Sequence, residues 1–166
     1  GEIVSEDAGY ADHIDLEKDI LKIAVVERHK NTGHIGLGYI QGYGLKSGAV
    51  ATSISHDSHN IIVVGTNAAD MAFAANYIVE NHGGIVVVKD GKVLSSVVLE
   101  IAGIMSDCPL TEMNEKLEGA KAAAFKLGVK EGIDPFMTLS FMALPVIPTL
   151  RITTRGIIDV VTQQYT

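Results

Sequence analysis

The chain has 166 residues, and 13 Lys and Arg against 20 Asp and Glu leave a formal net charge of −7. That length suits one domain with a proper core, and an apolar share of 47% excludes a disordered tail. The acidic balance, with only three arginines, argues against nucleic-acid binding through phosphates.

No apolar run approaches the ~20 residues of a membrane span, and the opening Gly1-Glu2-Ile3 lacks the basic and apolar regions of a signal peptide. One cysteine, Cys108, excludes a disulfide framework and a multi-cysteine zinc cage. A reducing cytoplasmic location is expected. The missing initiator methionine points to a processed start or an excised segment. Residues 1–16, acidic and weakly periodic, are left unplaced, and the domain is taken as 17–166.

In chain order, Lys22 to Arg28 is β-branched and apolar, a strand followed by turn residues Lys30 to Gly33. His34 to Gly44 is a second strand with an unusual alternation. Ile35, Leu37, Tyr39 and Tyr43 fall on one face, and Gly36, Gly38, Gly42 and Gly44 on the other. A bare face admits another backbone or a ligand, and close sheet packing is the preferred reading. Ala49 to Ser55 is a third strand. Ile61 to Val64 and Ile85 to Val88 are continuous apolar runs of the kind buried on both faces. Between them Asn67 to His82 reads as a helix capped by Asn67 and closed by Gly83. Residues 61–88 are thus expected to form a β-α-β unit with a right-handed crossover.

Asp90-Gly91 is a type I′ hairpin signal leading to a strand from Val93 to Ile101. A second helix is expected from about Glu112 to Leu127 with Thr111 as its cap and Gly128 as its stop. Asp134-Pro135 starts a third, short helix that ends before Pro145. Its residues 136–144 are apolar nearly all round, which implies burial on several sides or an interface. Leu150 to Val161 reads as one or two short strands around Arg155-Gly156. The class is α+β (mixed α/β), with a sheet of about seven strands and about three helices.

The densest polar cluster is Ser55-His56-Asp57-Ser58-His59-Asn60, between two strongly apolar strands. Imidazole and carboxylate can shuttle protons or bind a metal near neutral pH. Two histidines three apart on a straight strand would face opposite ways, so joint action needs the bend that a turn supplies. The alternative is a polar loop satisfying its own backbone N–H groups. Concentration favours function: His56, Asp57 and His59 as catalytic candidates in a supporting role, Ser58 and Asn60 as substrate contacts. Other signals fail. Gly36-x-Gly38 with Gly42 misses the dinucleotide spacing, and Leu45 stands where a phosphate-binding loop needs glycine. Cys108-Pro109 lacks the partners of a zinc deaminase, leaving Cys108 as a small packed residue. His82 suits a helix end, and His13, His29 and His34 lie at segment edges as structural or solvated groups.

Longer strings then become recognisable. KIAVVERH (22–29), TGHIGLGYIQGYGLKSGAVATSISHDSHNIIVVGTN (32–67), GGIVVVKDGKV (83–93), IAGIMSD (101–107), DPFMTLSFMALPVIP (134–148) and LRITTRGIIDV (150–160) resemble the C-terminal region of bacterial and archaeal adenine deaminases. The resemblance runs in order over about 17–160. It implies a parent of the amidohydrolase superfamily that hydrolyses adenine to hypoxanthine and ammonia. It also implies a (β/α)₈ barrel ahead of this region, with an HxH pair and a binuclear divalent metal centre of manganese or iron, zinc being a further candidate. This chain has no HxH and is far shorter than the ~250 residues of a barrel. The expectations are therefore a domain that completes or closes the active site, holds no metal of its own and is inactive alone. Its partners would be the barrel of the same chain, adenine, and further copies in a homo-oligomer. A purely structural or oligomerisation module, or an independent purine- or metal-binding domain, are the alternatives.

Overall fold

The computed structural model describes residues 9–166; residues 1–8 of the unplaced segment lie outside it. Strands β1 (Ile20–Val26), β2 (Ile35–Gln41), β3 (Ala49–Thr52) and β4 (Ile61–Gly65) precede helix α1 (Ala68–Glu80). The hairpin β5 (Gly84–Lys89) and β6 (Lys92–Val98) follows, then α2 (Leu110–Lys126) and α3 (Pro135–Met142). The chain closes with β7 (Leu150–Thr153), β8 (Gly156–Asp159) and β9 (Gln164–Tyr165). The class is α+β, as expected, but the strands form two sheets rather than one. Six make an antiparallel sheet in the order β2-β1-β4-β3-β5-β6, and β7-β8-β9 make a small second sheet.

The β4-α1-β5 unit is present in split form. Both strands are antiparallel to β3, which lies between them, so they run parallel without touching. Every residue of β4 is buried, and all of β5 but its last, which is why these runs lack alternation. Helix α1 covers the face bearing Ala49, Ala51, Ile61, Val63, Val86 and Val88. Helices α2 and α3 and the small sheet cover the other, where Leu21, Ile23, Val25, Val50, Ile62 and Val87 lie.

Local chemistry sets the helix starts. Asn67 Oδ1 accepts from the Asp70 N–H at 2.8 Å, and Asp70 in turn accepts from the Gly91 N–H at 2.8 Å, tying α1 to the β5–β6 hairpin. Asp134 caps α3 by accepting from the N–H groups of Phe136 and Met137 at 3.0 and 2.9 Å. The expected cap of α2 is corrected: Thr111 lies inside the first turn. The Pro109 carbonyl already accepts the Met113 N–H at 2.9 Å, so the helix begins at Leu110 with no side-chain cap.

The glycine face of β2 is filled by backbone. A Cβ on Gly36 would lie 2.8 Å from the Gly156 nitrogen and 2.9 Å from the Thr153 carbonyl carbon, and nearer still to that carbonyl's oxygen. The β7–β8 hairpin therefore rests on this strand only because side chains are missing there. The expected alternation ends sooner than Gly44. The strand stops at Gln41, Gly42 turns with a φ of +92°, and Tyr43 enters the core, its hydroxyl donating to the Pro135 carbonyl at 2.9 Å. Ile35 and Leu37 stay exposed on the outer face. Helix α3 is chiefly an internal helix, with Phe136, Leu139 and Ser140 buried and Met137 outside.

Candidate active-site loop

Residues 55–60 join β3 to β4, the two central strands of the large sheet, and so emerge from its most rigid part. Two other segments reach the same end. The last residue of β1, Val26, pairs with Ile61 at the start of β4, which brings Glu27, Arg28 and His29 beside the loop. The Arg28 N–H donates to Asn60 Oδ1 at 3.3 Å, and its Nε donates to the His59 carbonyl at 2.6 Å. His29 Nε2 meets the Ser58 carbonyl at 2.6 Å. From α3, Ser140 Oγ donates to the Ile54 carbonyl, and the Phe141 ring packs against His56 with centroids 5.3 Å apart. Within the loop, the His59 N–H closes a turn onto the Ser55 carbonyl at 2.6 Å, with His59 itself at a φ of +48°.

The loop's side chains separate into two groups. Asp57, Ser58 and Asn60 line a cavity of about 250 Å³ with Val25, Ala143, Pro145, Val146 and the 152–154 stretch of β7 and its turn. Its floor is apolar, and its rim offers a carboxylate acceptor with hydroxyl and amide donors. Asn60 Oδ1 is already engaged by Arg28, so the NH₂ is the group it offers a ligand. His56 and His59 do not line this cavity. They face each other edge to face, centroids 6.0 Å apart, and His59 Nδ1 receives the Ser55 N–H at 3.4 Å. With Nδ1 accepting, the neutral ring carries its proton on Nε2. Burial lowers the His59 pKa, the nearby His56 and Arg28 add to this, and Asp57 partly opposes it.

The flanking carboxylate has a different job. Glu27 Oε1 accepts from the N–H groups of His29 and Lys30 at 2.5 and 2.7 Å, and Oε2 from that of Thr32 at 3.1 Å. Those backbone donors, against some desolvation, lower its pKa to about 2. Cys108 is remote from this chemistry: desolvation and then the Glu112 charge push its thiol up. Among the described residues no three His, Cys, Asp or Glu side chains are arranged to hold a metal ion. The loop does not fit a manganese, iron or zinc centre of the kind expected of a parent enzyme, and its chemistry is that of its own donors and acceptors.

Residues 2–164 match the family described as the adenine deaminase C-terminal domain. The chain belongs to that family. An adenine deaminase of Bacillus licheniformis is 54% identical over 146 residues, 88% of this chain and 26% of that protein. One from Brucella anthropi is 55% identical over 147 residues, again 88% and 26%. One from Bacillus subtilis is 51% identical over 151 residues, 91% and 26%. This adenine deaminase C-terminal domain thus spans about a quarter of the length of those relatives. Sequence reasoning found the loop but missed what holds it. Arg28 and His29 are 30 residues upstream, and only the β1–β4 pairing brings them in; the sole signal was a charged Glu-Arg-His run at a strand's end. The cavity wall from 143 to 146 and 152 to 154 carried no signal at all.

Proposed function

We propose that this domain completes the purine pocket of an adenine deaminase, a cytoplasmic hydrolase whose barrel and metal centre lie in the part of the relatives that this chain does not span. The observation that carries the reading is the cavity, where Asp57, Ser58 and Asn60 stand together over an apolar floor. A purine offers the complement: flat apolar faces and an edge of alternating donors and acceptors. Hydrolysis adds water at C6, breaks the C6–N bond and delivers protons to the departing ammonia. In this reading Asp57 accepts or relays a proton at that edge, and Ser58 and Asn60 orient the base. His59 and His56, which do not line the cavity, act in a supporting role by setting the electrostatics of the loop that carries Asp57.

Docking is the second part of the reading. Around the loop stand the exposed apolar residues Ile35, beside Val26 in register, Met105, near the Arg28 contact at Ala102, and Val146, at the cavity. Exposed apolar side chains beside a cavity suit a surface that closes over another domain. The barrel of the same chain is the partner proposed, with a homo-oligomer as the further assembly. A purely structural module, or an independent purine-binding domain, would share the rim but not the catalytic demand on Asp57. The test is Asp57→Asn in the full-length enzyme. Loss of a positioned acid or base lowers kcat about 10²–10⁴-fold, with the melting temperature nearly unchanged because Asp57 is an exposed loop residue. Unchanged kcat would refute the active-site role; a fall in melting temperature with kcat per folded molecule intact would make the loop structural.

A further inference from the structure

We propose that Arg28 is the positioning residue of the 55–60 loop, its guanidinium locking the loop to the 101–105 turn so that the two move as one rigid edge. Three chain segments meet at this side chain. Nε holds the His59 carbonyl at 2.6 Å, Nη2 holds the Ala102 carbonyl at 2.5 Å, and the residue's own N–H holds Asn60 Oδ1 at 3.3 Å. The 101–105 turn is itself anchored, because Ser53 Oγ donates to the Gly103 carbonyl at 2.5 Å, and Ile101 and Met105 bridge its base. Gly103 makes the fit: a Cβ there would lie 2.6 Å from the guanidinium Cζ.

The guanidinium has no carboxylate within ion-pair distance among the described residues. A half-buried cation that bonds only to carbonyls is there for its geometry, a planar fork spanning two acceptors on different segments. A lysine offers the charge but not the fork. The backbone N–H of residue 28, which any non-proline residue there supplies, engages Asn60 Oδ1, and the guanidinium adds the hold on the His59 carbonyl. With Oδ1 of Asn60 and the carbonyl of His59 engaged, the cavity receives the Asn60 NH₂, and the His59 ring is held against Ser55. The charged or titratable groups acting on that ring are His56 and Asp57 from its own loop and Arg28 and His29 from the end of β1. Helix α3 brings no charged group among the described residues: its contacts here are Phe141 against His56 and Ser140 on the Ile54 carbonyl.

The inference rests on the active-site reading for its catalytic consequence but not for its structural one, so the test has two arms. In the first, hydrogen exchange of the His59 amide and the NMR titration of its ring are followed in the 166-residue chain carrying Arg28→Lys or Arg28→Gln. Both variants should exchange at least tenfold faster at His59, while amides of α1 stay protected. The ring should titrate nearer its ordinary value in Arg28→Gln, with Arg28→Lys in between. Wild-type exchange at His59 in both variants would overturn the inference. If α1 also loses protection, the glutamine variant has disturbed the fold, and Arg28→Lys alone decides. In the second arm the full-length enzyme carrying Arg28→Lys should lose kcat at least tenfold with KM little changed, and its pH profile should follow the shifted His59. A freed loop with kcat and pH profile intact would leave Arg28 as the lock and remove the loop from catalysis.

Discussion

Gly36→Ala should be among the most damaging single-methyl additions in the domain, although the residue carries no polar chemistry and needs no unusual φ. The obstacle is backbone on two sides: the Thr153 carbonyl and, at 2.8 Å, the Gly156 nitrogen, both belonging to the β7–β8 hairpin. Neither can rotate away, so the small sheet must lift off β2. Overpacking of a close contact costs about 1–3 kcal/mol, and an immovable neighbour places Gly36→Ala at the upper end, about 3 kcal/mol. For a domain of this size each kcal/mol is worth roughly 2–4 °C, so the melting temperature should fall by roughly 6–12 °C.

Gly38→Ala is the internal control, two residues along on the same face. Its new methyl would meet side chains only, Ile157 Cδ1 at 3.0 Å and Ile152 Cδ1 at 3.4 Å. Those ends can shift, and the added methyl gains about 0.8 kcal/mol of burial, so the net cost should stay under about 1 kcal/mol, or ~4 °C. Thermal unfolding by calorimetry or circular dichroism on both variants decides the matter. Equal shifts, or a larger one for Gly38→Ala, would refute the claim that backbone seats the small sheet on β2.

Two further outcomes follow from the site. Because the folded Glu27 carboxyl sits near 2 against an ordinary 4.5, its hold on the 29–32 turn is complete above pH 4.5 and is lost as pH falls from there toward 2. Amide protection at His29, Lys30 and Thr32, taken relative to the intrinsic exchange rate at each pH, should fall as pH drops across that window, and Glu27→Gln should show the same loss at neutral pH; protection that is flat with pH would contradict the assignment. The 166-residue chain incubated with adenine should release no ammonia above a buffer blank, since neither an HxH pair nor a metal cage among the described residues is there to activate water. Measurable release would sink the proposed division of labour between this domain and the part of the relatives it does not span.

What was legible in the sequence was local. The α1 cap, the Asp90-Gly91 turn with its two positive φ values of 52° and 68°, and the Asp134-Pro135 start of α3 each depend on neighbours within a few residues. Apart from the α2 cap, the errors arose where a distant partner decided. Alternation places Tyr43 with Leu37, yet the turn at Gly42 redirects it under α3. Propensity favours Thr111 as a cap, yet the Pro109 carbonyl starts the helix first. One sheet was expected where there are two, because nothing in 150–165 states which surface its strands will cover. The bare face of β2 was the clue on the other side: it announced close packing without naming the occupant. In the loop, likewise, the polar residues were visible, but their division between cavity and interior was not.

That division follows from which hydrogen-bonding atoms are already engaged. The loop's backbone is held from outside, at the Ser58 carbonyl by His29 and at the His59 carbonyl by Arg28. Asn60 Oδ1 and His59 Nδ1 each accept a backbone N–H, but Asp57 and Ser58 are not used as in a self-satisfied polar turn, in which Asp and Ser oxygens cap neighbouring N–H groups. The contrast is visible within this molecule. The Asp15 side chain accepts from the N–H groups of Glu17 and Lys18, and Asp159 from those of Val161 and Thr162. Asp57 has no such local use of its carboxylate: the turn it belongs to is closed by the backbone bond from His59 to Ser55. Among the described residues the cluster thus differs from an ordinary turn, which supports the proposed reading of it as a presented surface. An acidic acceptor left free on a rigid loop, beside a donor amide whose other half is occupied, favours recognition of a polar edge over local stabilisation.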